Sequence, residues 1–377
     1  MAIVCIAGAG GIGSAVAVLL RQMYGKPVDI LIGDINDSAR RKAVDWIAQA
    51  GTASGVLRSF DMSGDWQSEF EQQGQSVDIV LDCLPGRFAP SMARAALRFG
   101  AHYVNLTEYV AETKEIMELV RDADTGFGLQ SGVAPGFVNV LGKALFEDFC
   151  SEYGVEKANA LEMRVGALGR NAVAPHFYNF TWSPIGVATE YIKPAEVVRN
   201  HEFKTMESLS DRRTIWVDGL LLEEDLTSGG AADIPTAYQK QIANIDYKTF
   251  RYPGHWSWVE EQIANVPEGV DIIDSLEKKM LSEIAAVEED LIIVYAAVEG
   301  KDTNGVIRRV EASYRVEPIQ IGNVKLRAIQ STTAAGMAEV ARILLEGNHK
   351  GVLLQSQIDP VSYLNGPFAG AIYGDRR

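Results

Sequence analysis

The most constraining feature of this chain is Gly8-Ala9-Gly10-Gly11-Ile12-Gly13, which follows the apolar, β-branched run Ala2 to Ala7 and opens an apolar helical pattern from Ser14 to Met23. A G-x-G-x-x-G segment between a buried strand and a helix binds dinucleotides for physical reasons: the first glycine turns sharply, the second lets a pyrophosphate approach the backbone, and the third lets helix and strand pack closely. The helix N-terminus then offers N–H groups to the phosphates. A second strand, Val28 to Gly33, ends at Asp34, 21 residues beyond Gly13. A carboxylate there accepts hydrogen bonds from ribose hydroxyls and repels a 2′-phosphate, which favours NAD over NADP. Arg40 and Arg41 keep NADP open. The bland alternative makes the glycines a tight turn and Asp34 a helix cap.

The same rhythm continues. Val56 to Phe60 followed by Asp61, Val77 to Cys83, His102 to Asn105 and Phe127 to Ser131 are short apolar runs, separated by helix-like stretches such as Ala89 to Phe99 and Ala111 to Asp122. Alternating strands and helices predict a doubly wound parallel sheet, with ligands at the carboxyl ends of its strands. Those ends are Gly8 to Gly13, Asp34, Asp61, Leu84-Pro85-Gly86, Thr107-Glu108-Tyr109 and Ala134-Pro135-Gly136. Asp61 is placed to meet the adenine amino group, Leu84 and Pro85 the nicotinamide ribose, and Cys83 the cofactor through its backbone. Beyond Gly136 the alternation gives way to irregular stretches with aromatic clusters at Phe177 to Trp182 and Tyr252 to Trp258. Leu291 to Glu299 and Val306 to Val316 flank an Asn304-Gly305 turn, a hairpin signal that predicts a mostly antiparallel sheet, with helices such as Ile273 to Val287 against it. A last helical pattern, Ala334 to Glu346, stops at Gly347.

Composition narrows the function by exclusion. The formal net charge is −15, which argues against nucleic acid as a partner. Three cysteines without CxxC spacing, and histidines without mutual spacing, argue against a disulfide framework and against a metal site. No apolar run reaches the length of a membrane span, and no basic segment precedes an apolar N-terminal run, so the expectation is a soluble cytoplasmic protein.

The chain resembles the saccharopine dehydrogenase superfamily, and within it the L-lysine 6-dehydrogenase branch. The resemblance is carried by the glycine motif, Gly132-Val133-Ala134-Pro135-Gly136-Phe137-Val138-Asn139, Phe180-Thr181-Trp182-Ser183-Pro184-Ile185-Gly186, Glu190-Tyr191 with Pro194, and Arg251-Tyr252-Pro253-Gly254-His255. It implies an α/β fold: a Rossmann doubly wound parallel sheet with an inserted α+β substrate and dimerisation domain built on a largely antiparallel sheet. The expected boundaries are 1–136 plus 335–377 for the Rossmann domain and 137–334 for the insertion. The resemblance also implies a homodimer, an NAD(P) cofactor, and hydride transfer from a carbon bearing nitrogen. Saccharopine-forming members place an arginine after Trp-Ser, where this chain has Pro184-Ile185.

Amine oxidation needs the neutral amine, hence a proton acceptor. Glu108, at the end of a Rossmann strand, and His255, in a Pro-Gly turn, are the catalytic candidates, against the plainer roles of helix-terminal acid and packed histidine. A substrate carboxylate calls for a guanidinium, for which Arg170 and Arg251 are candidates. Tyr109, Trp182 and Ser183 complete the substrate-binding expectation. The expected reaction is NAD(P)-dependent oxidative deamination of the lysine side-chain amine to the semialdehyde or cyclic imine. Two further readings are a saccharopine- or carboxynorspermidine-type reductive condensation and a non-catalytic NAD-binding regulator.

Overall fold

The computed structural model describes residues 1–108 and 110–375. The chain divides into two compact units: unit 1 holds Met1–Phe137, Ile319–Leu326 and Gln330–Ile372, and unit 2 holds Val138–Pro318, Arg327–Ile329 and the chain from Tyr373.

In unit 1, the strands β1 (Ala2–Ala7), β2 (Val28–Asp34), β3 (Leu57–Asp61), β4 (Ile79–Asp82), β5 (His102–Asn105) and β6 (Gly126–Gly128) alternate with helices α1 (Gly11–Met23), α2 (Asp37–Ala48), α3 (Trp66–Gln72), α4 (Ala89–Phe99) and α5 (Val110–Leu119). Each βαβ step keeps its strands parallel, as a helical crossover must. Val4 to Ala7 are completely buried, and eight successive residues of α1 from Gly13 to Leu20 are buried too, because both faces of this layer are covered. Trp66, Phe70, Met92, Tyr103, Ile116 and Phe127 fill one side of the sheet.

In unit 2, β7 (Ala158–Gly169) is the spine. Helix α6 (Phe137–Tyr153) precedes it, and α7 (Pro184–Ile192), β8 (Ala195–Arg199), β9 (Glu202–Met206), β10 (Arg213–Val217), β11 (Leu220–Leu226), α8 (Ile234–Tyr238), β12 (Ile242–Arg251), α9 (His255–Ala264), α10 (Ile272–Glu283), β13 (Asp290–Lys301) and β14 (Ile307–Val316) follow. The sheet order is β10-β11-β12-β7-β13-β14, with β8 and β9 branching from β12. Among the described residues of this sheet, only the β7–β12 pairing is parallel. The β13–β14 hairpin turns at Gly305, with φ +80°, beside Asp302, whose Oδ1 accepts the Asn304 and Val306 N–H groups. Helices α7, α9 and α10 share an aromatic core of Tyr178, Phe180, Tyr191, Trp256 and Trp258.

The chain then forms the small hairpin β15 (Ile319–Ile321) and β16 (Val324–Leu326), the long helix α11 (Ala328–Glu346), strand β17 (Gly351–Leu353), and the short helices α12 (Pro360–Leu364) and α13 (Ala369–Tyr373). Strand β17 pairs in parallel with β6, completing a seven-stranded sheet in the order β17-β6-β5-β4-β1-β2-β3. The order reverses beside β1, which is where an open α/β sheet leaves a ligand crevice. The architecture is the expected one: a Rossmann-like parallel sheet and a mixed, largely antiparallel second sheet. The returning helix is longer than its apolar pattern, starting at Ala328 rather than Ala334, and β17 after it has no strong signal of its own in three residues.

Candidate functional site

The glycine loop of unit 1 has the geometry its spacing implies. Gly8 adopts φ +106°, a conformation an L side chain rarely takes, and a Cβ there would stand 3.1 Å from the Cys83 carbonyl oxygen. A Cβ on Gly13 would stand 2.0 Å from the Gly8 carbonyl oxygen, so only glycine lets α1 close on the loop. Gly10 differs: it is exposed, and a Cβ there would meet nothing within 4 Å. The protein therefore leaves the middle of the loop bare where a diphosphate would lie against backbone. Helix α1 starts there with no side-chain cap and no acid in its first turn, leaving its N–H groups and dipole available to an anion. Gly11 and Ile12 form that first turn.

Asp34 ends β2, and both its carboxylate oxygens are fixed: Oδ2 accepts the Ala9 N–H at 3.0 Å and Oδ1 accepts the Asn36 N–H at 2.9 Å. This locks the acid against the glycine loop, where ribose hydroxyls would reach it. On the neighbouring strand Asp61 accepts the Ser63 N–H at 2.8 Å, the largest of several contacts that hold its carboxyl below the ordinary range. Arg40, on the first turn of α2, lies between these strand ends. It donates to the Asp34 carbonyl at 2.7 Å and pairs with Asp37 and Asp61 at 3.2 Å each.

Across the crevice from β2, the chain leaves β4 through Cys83, Leu84 and Pro85. The Cys83 N–H donates to the Ala7 carbonyl, and its thiol meets the Met337 sulfur at 3.6 Å; burial pushes that thiol's pKa up, so it is no nucleophile. Leu84 is half-buried and Pro85 is exposed. Asp82 beside them is buried and accepts from the Leu84 N–H at 3.0 Å and the Tyr103 hydroxyl at 2.8 Å. Asn105, paired in register with Asp82, accepts the Gln130 N–H through Oδ1, while its buried Nδ2 has no partner among the described residues. An orphaned donor at the ligand end of β5 was not read from the sequence, because nothing in the run His102 to Asn105 signals it. Glu108 lies half-buried in the β5–α5 loop. Tyr109, expected at the substrate, lies outside the described residues.

The Gly132 to Gly136 segment is a closed turn: the Gly132 N–H donates to the Pro135 carbonyl and the Phe137 N–H to the Gly132 carbonyl. Ala134-Pro135 is cis. Gly336 of α11 packs on it so closely that a Cβ there would stand 2.4 Å from the Gly132 oxygen.

Unit 2 gathers two of its expected residues, and their setting differs from the one expected. His255 is completely buried at the start of α9; its Nδ1 lies 2.7 Å from the His176 carbonyl oxygen and its Nε2 lies 3.1 Å from the Tyr191 hydroxyl. Burial and then the nearby Arg251 charge push its pKa down to about 3. That direction favours the neutral ring, and with both nitrogens engaged the imidazole braces Tyr191 rather than opening onto solvent. Arg251, also buried, donates to Glu190 at 2.8 Å, to the Tyr191 hydroxyl at 2.7 Å and to the Phe250 carbonyl, with the Tyr178 ring 4.9 Å away. In this structure it is engaged in an internal ion pair. Burial raises the Glu190 carboxyl to about 7, against the pull of Arg251. Arg170 is partly exposed and paired with Glu317. Trp182 is half-buried over Gly186, and Ser183 is the N-cap of α7, accepting from the Gly186 N–H.

These arginines are part of a pattern. Each arginine of unit 2 among the described residues has a carboxylate within 4.0 Å: Arg164, Arg170, Arg199, Arg212, Arg213, Arg251, Arg308, Arg309, Arg315 and Arg327. Among the described residues no group of three or more His, Cys, Asp or Glu is arranged to hold a metal ion, and no helix is long and apolar enough to cross a membrane.

Residues 4–127 match the model of the saccharopine dehydrogenase NADP binding domain, and residues 132–370 match that of the saccharopine dehydrogenase C-terminal domain. The fold is similar to that of saccharopine dehydrogenase (L-Glu forming) from Saccharomyces cerevisiae, with TM-score 0.74 at 13% identity over 100% of this chain and 99% of that one. It is also similar to homospermidine synthase from Legionella pneumophila, solved in complex with NAD, with TM-score 0.65 at 14% identity over 100% and 90% of the two chains. A segment of 142 residues, 36% of this chain, is 25% identical to mitochondrial alpha-aminoadipic semialdehyde synthase from Mus musculus, and spans 15% of that protein.

Proposed function

The chain belongs to the saccharopine dehydrogenase family, a family of NAD(P)-binding oxidoreductases, and from that premise we propose that it oxidatively deaminates the side-chain amine of L-lysine with NAD. The observation that carries the substrate class is the pairing of every described arginine in unit 2 with a carboxylate. Joining an amine to a dicarboxylate requires guanidinium groups uncommitted until the substrate arrives, since an arginine already neutralised must first break a bond worth about 1.5–3 kcal/mol. An acidic chain whose unit 2 arginines are internally paired suits a substrate with a cationic side chain.

Gly8, Gly10, Gly11, Ile12 and Gly13 would hold the diphosphate, Asp34 the adenosine ribose, Asp61 the adenine, and Cys83 to Pro85 the nicotinamide side. When bound, the nicotinamide supplies the hydride acceptor. The chain's own work is to hold the substrate and manage its protons. Glu108, following β5 at the ligand end of the sheet, pairs with the substrate ammonium and takes the proton that must leave before the nitrogen lone pair is available; it then serves the water that hydrolyses the imine. Trp182 and Ser183 line the substrate side of unit 2. Arg251 and His255 are positioning residues that lock Tyr191 from within.

The test is NADH formation with a panel of basic and neutral amino acids at alkaline pH. Turnover of lysine, abolished by Glu108→Gln, is the expected result. Turnover of no amine, or NADH consumption only when an amine and a carbonyl compound are supplied together, overturns the proposal.

A further inference from the structure

We propose that Arg40 is a specificity-determining residue for the dinucleotide, disarmed by Asp37 and Asp61, and that these two acids exclude a 2′-phosphate together with Asp34. Arginines in the first turn after a second Rossmann strand are the obvious partners for a 2′-phosphate, because a guanidinium meets phosphate with paired donors. Arg40 occupies that place. Its side chain is 11% exposed and carries three kinds of partner at once: Nη1 donates to the Asp34 backbone carbonyl at 2.7 Å, Nη2 to Asp37 Oδ1 at 3.2 Å, and the two nitrogens face the Asp61 carboxylate at 3.2 and 3.4 Å. The guanidinium therefore bridges the ends of β2 and β3 beneath the ribose-binding acid, with its charge spent on the protein.

The neighbouring cation offers no substitute. Arg41 is 77% exposed and pairs with the other oxygen of Asp37 at 2.6 Å, so one carboxylate engages both arginines. Asp34, Asp37 and Asp61 against Arg40 and Arg41 leave this corner with a local charge of −1. A phosphate monoester arriving there brings about two more negative charges. It would have to displace a carboxylate from a mostly buried guanidinium, next to Asp34 whose own oxygens are fixed toward the site by Ala9 and Asn36. Asp34 is thus one of three acids acting together, and the other two act by occupying the arginine.

This inference rests on the dinucleotide reading of unit 1 and is independent of the amine substrate. The test is calorimetric titration of the whole chain with NAD+ and with NADP+, which differ only by the 2′-phosphate. Wild type is expected to favour NAD+. In Asp37→Asn/Asp61→Asn, the NADP+ to NAD+ affinity ratio is expected to rise at least about tenfold, the scale of one freed charge-assisted bond. Adding Arg40→Gln to that double variant is expected to abolish the rise. An unchanged ratio in the folded double variant overturns the proposal, as does a rise that survives Arg40→Gln, which would be bulk electrostatics, or a wild type that prefers NADP+. If the double variant fails to fold, the single variants carry the test, each shifting the ratio in the same direction; no shift in either overturns it. Binding of neither dinucleotide removes the cofactor reading itself, whereas a missing shift with binding intact removes only the role of Arg40.

Discussion

Asp82 is a buried carboxyl beside the crevice, with a pKa pushed up to about 6 by burial and only partly offset by bonds from Leu84 and Tyr103. A carboxyl whose folded pKa lies above its unfolded value contributes stability below the unfolded pKa and loses it as pH rises through the folded one. Asp82→Asn has no charge to bury: its Oδ1 can accept from the Leu84 N–H, while its Nδ2 takes the place of Oδ2 and donates to the Tyr103 hydroxyl, which still donates to the Ala89 carbonyl. The variant should therefore gain on wild type as pH rises from 4 to 8, by up to roughly 3 kcal/mol for a shift of about two units. Denaturant melts across that range check it, and a gap that does not change with pH would refute it. Residues of this kind were not legible in the sequence, whereas the glycines and Asp34 were. The demands on Gly13 and Asp34, and the positive φ of Gly8, arise within one strand-turn-helix-strand stretch, so spacing alone reports them. The burial of His255 and Arg251 is created by Tyr178, Glu190 and Tyr191, dozens of residues away, and a turn rich in Pro and Gly reads as exposed until those partners close over it.

Among the elements, β1, β2, β4, β5 and the β13–β14 hairpin were readable because strong apolar runs meet clear breakers. Helices α2 and α3 were not, since polar and charged surfaces dilute their apolar positions; in α2 only Arg40, Ala43 and Ile47 are buried. The family-like Ala134-Pro135-Gly136 was read as a ligand loop, and its observed shape is a closed turn seated on α11. That seat makes a sharp demand on the helix. Gly336→Ala would drive a methyl into the backbone of Gly132 and Ser131, at 2.4 and 2.9 Å, where no side chain can yield. Overpacking of this kind costs about 1–3 kcal/mol. Thermal melting should show that loss for Gly336→Ala, and a variant as stable as wild type would mean that the turn can move.

Each unit has its own buried hydrophobic clusters, and the glycine loop belongs to unit 1. A dinucleotide that binds the folded form alone stabilises what it binds, by about 2.7 kcal/mol at a hundred times its dissociation constant. Differential scanning calorimetry with NAD+ should shift upward the transition in which the parallel sheet melts. Trp46 and Trp66 lie in unit 1 and Trp182, Trp216, Trp256 and Trp258 in unit 2, so variants that keep the tryptophans of one unit alone report its melting by fluorescence. A unit 2 transition that moves as far as that of unit 1 would mean the two unfold as one cooperative body. The sheet order has a second consequence, for the order in which the protein comes off the ribosome. Six strands of the parallel sheet are made within the first 128 residues, but the seventh, β17, spans Gly351–Leu353. Throughout synthesis of unit 2 the three-residue strand β6 is an open edge, with its hydrogen-bonding groups unpaired on that side. The cofactor domain, begun first, is finished last, and the brevity of β6 limits the template that an unfinished chain presents to its neighbours.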